Sequence, residues 1–248
     1  VYTKINIYKN NENFNPFLLN IKEYFQNNSQ TIHKARNELK IIEYEGVETV
    51  VKAFKVPNLL NQIIYAYCRD SKAKKSYDNA VKLQKLGINT PTPIGYIEFY
   101  KNFLFKESFF VSQKQEYAFT IRSPLRDLDF VDRERIIKKF VAFTHRLHQS
   151  GVYHKDYSAG NILVIKNGDD YEFSVVDINR MEFKPVGVKL GLDNFAKLWL
   201  DENSLEIIAK EYAKLANIGE ENAIKMLRKS DKSLKSFVKF KRKIRGKK

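Results

Sequence analysis

The stretch from Val152 to Met181 constrains this chain more than any other. It opens Val-Tyr-His-Lys-Asp-Tyr-Ser-Ala-Gly-Asn, runs through apolar Ile162–Ile165 to Asn167-Gly168, and continues to a second apolar run, Phe173–Val176, that ends in Asp177. Asn-Gly between two apolar runs is a strong hairpin signal, because these residues tolerate the left-handed backbone of a tight turn. Closing that hairpin lays the second run back along the first. It brings Asp177 beside Asn161, with Asp156 one loop away. An amide and a carboxylate at neighbouring strand ends offer hard oxygen ligands suited to Mg²⁺, which takes few protein oxygens and keeps room for phosphates. The carboxylate of Asp156, on the adjoining loop, can then orient an attacking hydroxyl.

The pattern His-x-Asp-x-x-x-x-Asn, followed by a strand ending in Asp, resembles the catalytic and metal-binding loops of protein-kinase-like phosphotransferases. That resemblance implies Asp156 as catalytic base, Asn161 and Asp177 as holders of Mg²⁺, and His154 as a structural brace. Lys52, in the strand-like run Val47–Val56, is similar to the kinase lysine that contacts nucleotide phosphates. The implied fold is α+β: a bilobal protein-kinase-like fold, with a small β-rich N-lobe (1–115), a mainly helical C-lobe (116–248) and the ATP cleft between them. Residues Gln113–Ala118 read as the hinge.

Composition agrees with a folded chain of one large domain or two modest lobes. It has 248 residues, 43% of them hydrophobic and 13% aromatic. No apolar run approaches the roughly 20 residues of a membrane span. The N-terminus shows no secretory pattern. Cys68 is the only cysteine, which excludes an internal disulfide and suits a reducing compartment. The net charge of +15 favours anionic partners. Zinc-finger cysteines and RNA-binding aromatic motifs are both missing, so no nucleic acid is expected.

Two amphipathic segments precede the motif. Residues 57–70 carry Leu59, Leu60, Ile63, Ile64 and Tyr67 at helical spacing, and read as an extra helix with its apolar side toward the core. A second helix, Ser71–Leu86, ends at Gly87. Aligning that helix on kinases places their lysine-pairing glutamate at Ser76. Asp78 lies about 200° away around the helix, on another face. The Gly-rich loop of ordinary protein kinases has no counterpart upstream, and residues 27–34 are left without a role. Asp132–His148 is a further amphipathic helix; its His145 and His148 suit packing and local hydrogen bonding better than metal ligation. After Asp177 there is no Ala-Pro-Glu and no long activation segment, which points away from peptide substrates. Residues 232–248 hold nine Lys/Arg and no acid, a polybasic segment able to dock on an anionic leaflet or to remain solvated. Leu234, Phe237 and Val238 share a helix face there, with Phe240 and Ile244 fitting it less well.

Several stretches together resemble the lipopolysaccharide kinase family, especially its Kdo-kinase branch. They are Val50-Val-Lys-Ala-Phe-Lys-Val-Pro-Asn-Leu, Ser71-Lys-Ala-Lys-Lys-Ser-Tyr, Gly87-Ile-Asn-Thr-Pro-Thr-Pro-Ile-Gly-Tyr-Ile-Glu, the His154–Leu163 loop and Val176-Asp-Ile-Asn-Arg-Met. The resemblance implies an ATP- and Mg²⁺-dependent enzyme that phosphorylates an inner-core sugar, most directly Kdo on a lipid A precursor. It would work in the cytoplasm, peripherally on the inner membrane's cytoplasmic face. Lys155 and Arg180 flank the loops and could meet an acceptor carboxylate or phosphate, or form structural ion pairs. Two other readings stand beside it: a RIO-like atypical protein kinase, and a non-catalytic pseudokinase scaffold suggested by Ser76.

Overall fold

The computed structural model describes residues 2–34 and 37–244. Residues 245–248 of the basic tail lie outside them. Two compact units divide the chain, Val1–Glu116 and Tyr117–Lys248.

The first unit comprises β1 (Tyr2–Ile7), α1 (Asn15–Leu19), α2 (Ile21–Asn27), β2 (Thr31–Lys34), β3 (Asn37–Tyr44), β4 (Val47–Phe54), α3 (Leu59–Tyr67), α4 (Lys72–Lys85), β5 (Pro93–Lys101) and β6 (Leu104–Gln113). Its antiparallel sheet runs β1-β5-β6-β4-β3-β2. The β3–β4 turn places Glu45 and Gly46 at φ 49° and 76°, the two left-handed residues that match the twist of a two-residue hairpin. Strand β1 was not anticipated: its Tyr2–Ile7 run pairs with β5, and Tyr2 stacks on Tyr100 at 4.7 Å. Phe14, Phe17, Leu18, Ile21 and Phe25 form a core with Ile42, Val51, Ile97 and Val111 of the sheet. Helix α4 is capped by Ser71 Oγ, which accepts from the Lys74 N–H, and buries Ala73, Tyr77, Ala80 and Leu83.

The structure corrects the reading of α3. It buries none of its residues, and Leu59, Leu60, Ile63 and Tyr67 are all exposed. Spacing gave the stripe but not its direction. The helix is held by one aromatic contact, Tyr65 on Phe105 at 5.4 Å, and by polar ones: Asn58 caps it, Lys106 Nζ donates to Gln62 Oε1 at 2.7 Å, and Tyr67 Oη donates to the Phe103 carbonyl.

The second unit comprises β7 (Phe119–Thr120), α5 (Arg122–Arg126), α6 (Arg133–Gln149), β8 (Val152–His154), β9 (Ile162–Asn167), β10 (Asp170–Val175), β11 (Met181–Phe183), α7 (Val188–Phe195), α8 (Glu202–Ala216) and α9 (Glu220–Ile244). The expected hairpin is present: Val175 pairs with Ile162, Phe173 with Val164, and Gly168 turns at φ 60°. Helix α6 buries Ile136, Ile137, Phe140, Val141, Phe143 and Leu147. Phe140 is fully buried among Tyr157, Phe173 and Phe195, which fastens the motif's loop and strands to the helix. Helix α9 continues past Asp231, its last buried residue, as a rod whose side chains are all at least partly exposed.

Candidate active site

The loop after β8 is built on His154, which is fully buried. Its Nδ1 accepts the Asp156 backbone N–H at 3.1 Å, so the ring proton resides on Nε2, which donates to the Val176 carbonyl at 3.0 Å. One imidazole thus ties the backbone of Asp156 to the residue preceding Asp177. Burial lowers the His154 pKa, with the Val176 bond opposing it. The geometry agrees, since a second ring proton would point at the Asp156 N–H.

Asn161 completes the frame. Its Nδ2 donates to the Asp156 carbonyl at 2.8 Å, and its backbone carbonyl accepts Val176 N–H at 3.0 Å. The donation fixes the amide's orientation and directs Oδ1 the other way. Asp177 is left-handed at φ 55°, ψ 46°, a conformation Asp tolerates better than most residues. Asn179 Nδ2 donates to its Oδ1 at 2.9 Å. The Asn161 amide oxygen and the Asp177 carboxylate are hard donors. Among the described residues no cluster of three His, Cys, Asp or Glu forms a metal cage. Two such donors would suit Mg²⁺, which keeps waters and substrate phosphates in its remaining positions.

Asp156 is partly exposed and is met by Arg180, whose Nη1 lies 2.9 Å from Oδ1 and 3.1 Å from Oδ2. Lys155 pairs with Glu182, which Lys184 also contacts at 2.6 Å. These two lysines hold the Glu182 carboxyl down to about 2, Lys155 contributing most. Both flanking cations are therefore engaged in ion pairs.

Behind the loop lies a buried polar relay that motif reading missed. Tyr212 Oη donates to His148 Nδ1 at 3.1 Å, and His148 Nε2 donates to Asn194 Oδ1 at 3.2 Å. Asn194 Nδ2 then donates to the His154 carbonyl at 2.9 Å. Helices α8, α6 and α7 are so linked to β8. Asn194 also fixes the His148 tautomer, and burial pushes the His148 pKa down to about 4. A Cβ at Gly191 would lie 2.1 Å from Tyr212 Oη, so the relay closes only over a glycine. The one polar residue in the apolar run Leu192–Ala196 besides Asp193 was the available signal for Asn194. Also missed was Tyr157, fully buried, whose hydroxyl meets Thr144 Oγ1 at 2.7 Å and pins the loop to α6.

In the other unit, Lys52 projects from β4 between Leu39 and Phe110, with Nζ 5.4 Å from the Phe54 ring centre. Ser76 is buried, and its hydroxyl is spent on the Lys72 carbonyl at 2.8 Å. Asp78 pairs with Lys74 at 2.6 Å. An acid does occupy Lys52's face of the sheet: the strand registers place buried Glu98 there, two strands away, accepting from Tyr100 Oη at 2.8 Å.

Comparison with known proteins bears on the fold and the family. A solved structure described as WaaP in complex with acyl carrier protein covers 92% of this chain and 98% of its own, at 16% identity and a TM-score of 0.62. That likeness shows a shared protein-kinase-like fold. A crystal structure of WbdD aligns with 82% of this chain and 46% of its own, at 13% identity and a TM-score of 0.47, too low to add to the argument. No curated protein sequence matches. The family model for the lipopolysaccharide kinase (Kdo/WaaP) family matches residues 59–218, which include Ser76, Asp156, Asn161 and Asp177. The chain belongs to the lipopolysaccharide kinase (Kdo/WaaP) family, whose members are sugar kinases of lipopolysaccharide biosynthesis.

Proposed function

We propose that this protein transfers the γ-phosphoryl group of ATP to a hydroxyl of Kdo on a lipid A precursor. The observation that carries the reading is the single frame in which His154 and Asn161 bind the backbone of Asp156 and of the strand leading to Asp177. In the transfer, the sugar oxygen forms a bond to the γ-phosphorus while the β–γ bridging P–O bond breaks, and ADP leaves with that electron pair. Asp156 takes the hydroxyl proton. Asn161 and Asp177 would hold Mg²⁺, which neutralises phosphate charge when bound, and Lys52 would engage the nucleotide's phosphates. Fixed placement and charge compensation supply most of the rate in such a transfer.

The same reading places the enzyme at the anionic cytoplasmic face of the inner membrane, docked through α9. Around that helix Phe240, Ile244, Phe237 and Leu234 fall within one arc of about 120°, which Lys241 shares with its Nζ 5.6 Å from the Phe237 ring centre, and Lys232, Lys235, Lys239, Arg242 and Lys243 lie opposite. Phe237, Phe240 and Ile244 are exposed. Such a helix suits an interface of acyl chains and anionic headgroups. Among the described residues no helix is long and apolar enough to cross a membrane.

The test is incubation with Mg²⁺-ATP and, in parallel, Kdo-bearing lipid A precursor or an acceptor that carries both Kdo and heptose, read by mass spectrometry. One phosphate on the Kdo residue, lost in Asp156→Ala, is expected. Phosphate on a heptose instead would overturn the Kdo assignment, and absence of transfer to either sugar would overturn the proposed function.

A further inference from the structure

The cations around Asp156 differ in how they are compensated. Lys155 is matched by Glu182. Lys197, in the turn after α7, is not matched. Its Nζ donates to Tyr153 Oη at 2.9 Å and lies 4.4 Å over that ring. Among the described residues no carboxylate is in ion-pair contact with it. It is partly buried, with Asp156, Arg180, Lys155 and Asp193 as its charged neighbours. Burial lowers its pKa to about 8, and Asp156 opposes that shift. A partly buried cation without a counter-ion is a group awaiting an anion.

Arg180 presents the complementary anomaly. It covers both oxygens of the carboxylate assigned to receive a proton. A guanidinium there occupies the acceptor lone pairs, so it stands where an incoming hydroxyl would have to bond. Its side chain is 62% exposed, however, and exposed ion pairs are weak and easily exchanged.

We infer that Arg180 and Lys197 form a subsite for an acidic group of the acceptor, a sugar carboxylate or a phosphate, and that Arg180 leaves Asp156 for that group when the acceptor docks. Under the sugar-kinase function proposed above, on which this exchange rests, Asp156 is masked until an acidic acceptor arrives. Water alone does not unmask it, which suppresses wasteful ATP hydrolysis. A neutral sugar lacks the charge to draw Arg180 away.

Two measurements on the full chain test this. Free Kdo, its methyl ester and inorganic phosphate are titrated without ATP, reading the fluorescence of Trp199, the sole tryptophan, with calorimetry alongside. Kdo is expected to bind at least about tenfold more tightly than its ester, with that preference lost in Lys197→Ala and Arg180→Ala. Binding of phosphate but not Kdo would assign the subsite to a phosphate-bearing acceptor. Equal binding of acid and ester, with phosphate inert, would overturn the subsite. Separately, Arg180→Ala is expected to raise acceptor-free ATP hydrolysis several-fold, while Arg180→Lys, which keeps the charge, stays nearer the parent. Hydrolysis no faster in Arg180→Ala would overturn the exchange. Because the titration needs no turnover, loss of phosphoryl transfer with acid-selective binding intact would sink the sugar-kinase reading and leave the subsite standing.

Discussion

Replacing Gly191 with alanine adds one methyl group to α7 and tests whether the relay behind the active-site loop matters. In a helix that imposes nothing else, Gly→Ala stabilises by about 1 kcal/mol. Here the new carbon would lie 2.1 Å from Tyr212 Oη and 2.9 Å from His148 Nδ1. The hydroxyl would have to withdraw by about 1.3 Å or more to reach ordinary van der Waals contact, which breaks its 3.1 Å bond to His148. Overpacking of this kind costs about 1–3 kcal/mol, and the lost hydrogen bond costs about 1 kcal/mol more. The sum exceeds the helical gain, so Gly191→Ala should destabilise the second unit by about 1–3 kcal/mol. Urea unfolding followed by Trp199 fluorescence measures this, because the only tryptophan lies in that unit. Tyr212→Phe removes the nearest clashing atom, and in that background the alanine should be cheaper by about 1 kcal/mol. A Gly191→Ala protein as stable as the parent, or more stable, would refute the reasoning.

Three further outcomes are expected. Burial holds the folded pKa of His148 near 4 and lowers that of His154, whereas both titrate near 6.5 in the unfolded chain. Below that value the unfolded state binds more protons, so stability is complete above about pH 6.5 and declines as the pH falls towards 4. His148 alone accounts for about 3 kcal/mol, measurable as pH-dependent urea midpoints. Asn161→Ala should raise the Mg²⁺ concentration for half-maximal activity at least about tenfold; an unchanged requirement would remove Asn161 from the metal site. Phe237→Asp with Phe240→Asp should abolish co-sedimentation with anionic vesicles. Both side chains are exposed, so the Trp199 unfolding transition should move by less than about 0.5 kcal/mol.

The local placement of the candidate residues was legible because it is written in contiguous residues. Asn-Gly specified the hairpin, and the hairpin carried Asp177 to Asn161. The relay was not legible, because Tyr212, His148, Asn194 and His154 sit on four elements, and only packing makes neighbours of residues 64 and 46 positions apart. Helix α3 shows a related limit. Periodicity reveals that one face is apolar, while only the tertiary structure reveals that it points outward. Arg180 and Lys155 were legible as cations near the loops, but their acidic partners were not. In the first unit, Ser76 is buried and bonded to its own helix, and buried Glu98 had no flanking signal to pick it out.

The short path from Asp177 to α7 has a consequence for control. Residues 178–187 are all that separate them, and β11 takes three of these into a ladder with β8, pairing Met181 with His154 and Phe183 with Val152. In kinases governed by an activation loop, an on-off switch needs slack that one conformation stores and another spends. Here that slack has been stitched to the very strand that carries His154. A chain built this way holds the backbone of this segment in one arrangement, with no slack left there for a second. Control of the loop then falls to the side chains around Asp156, where Arg180 sits, rather than to the backbone that follows Asp177.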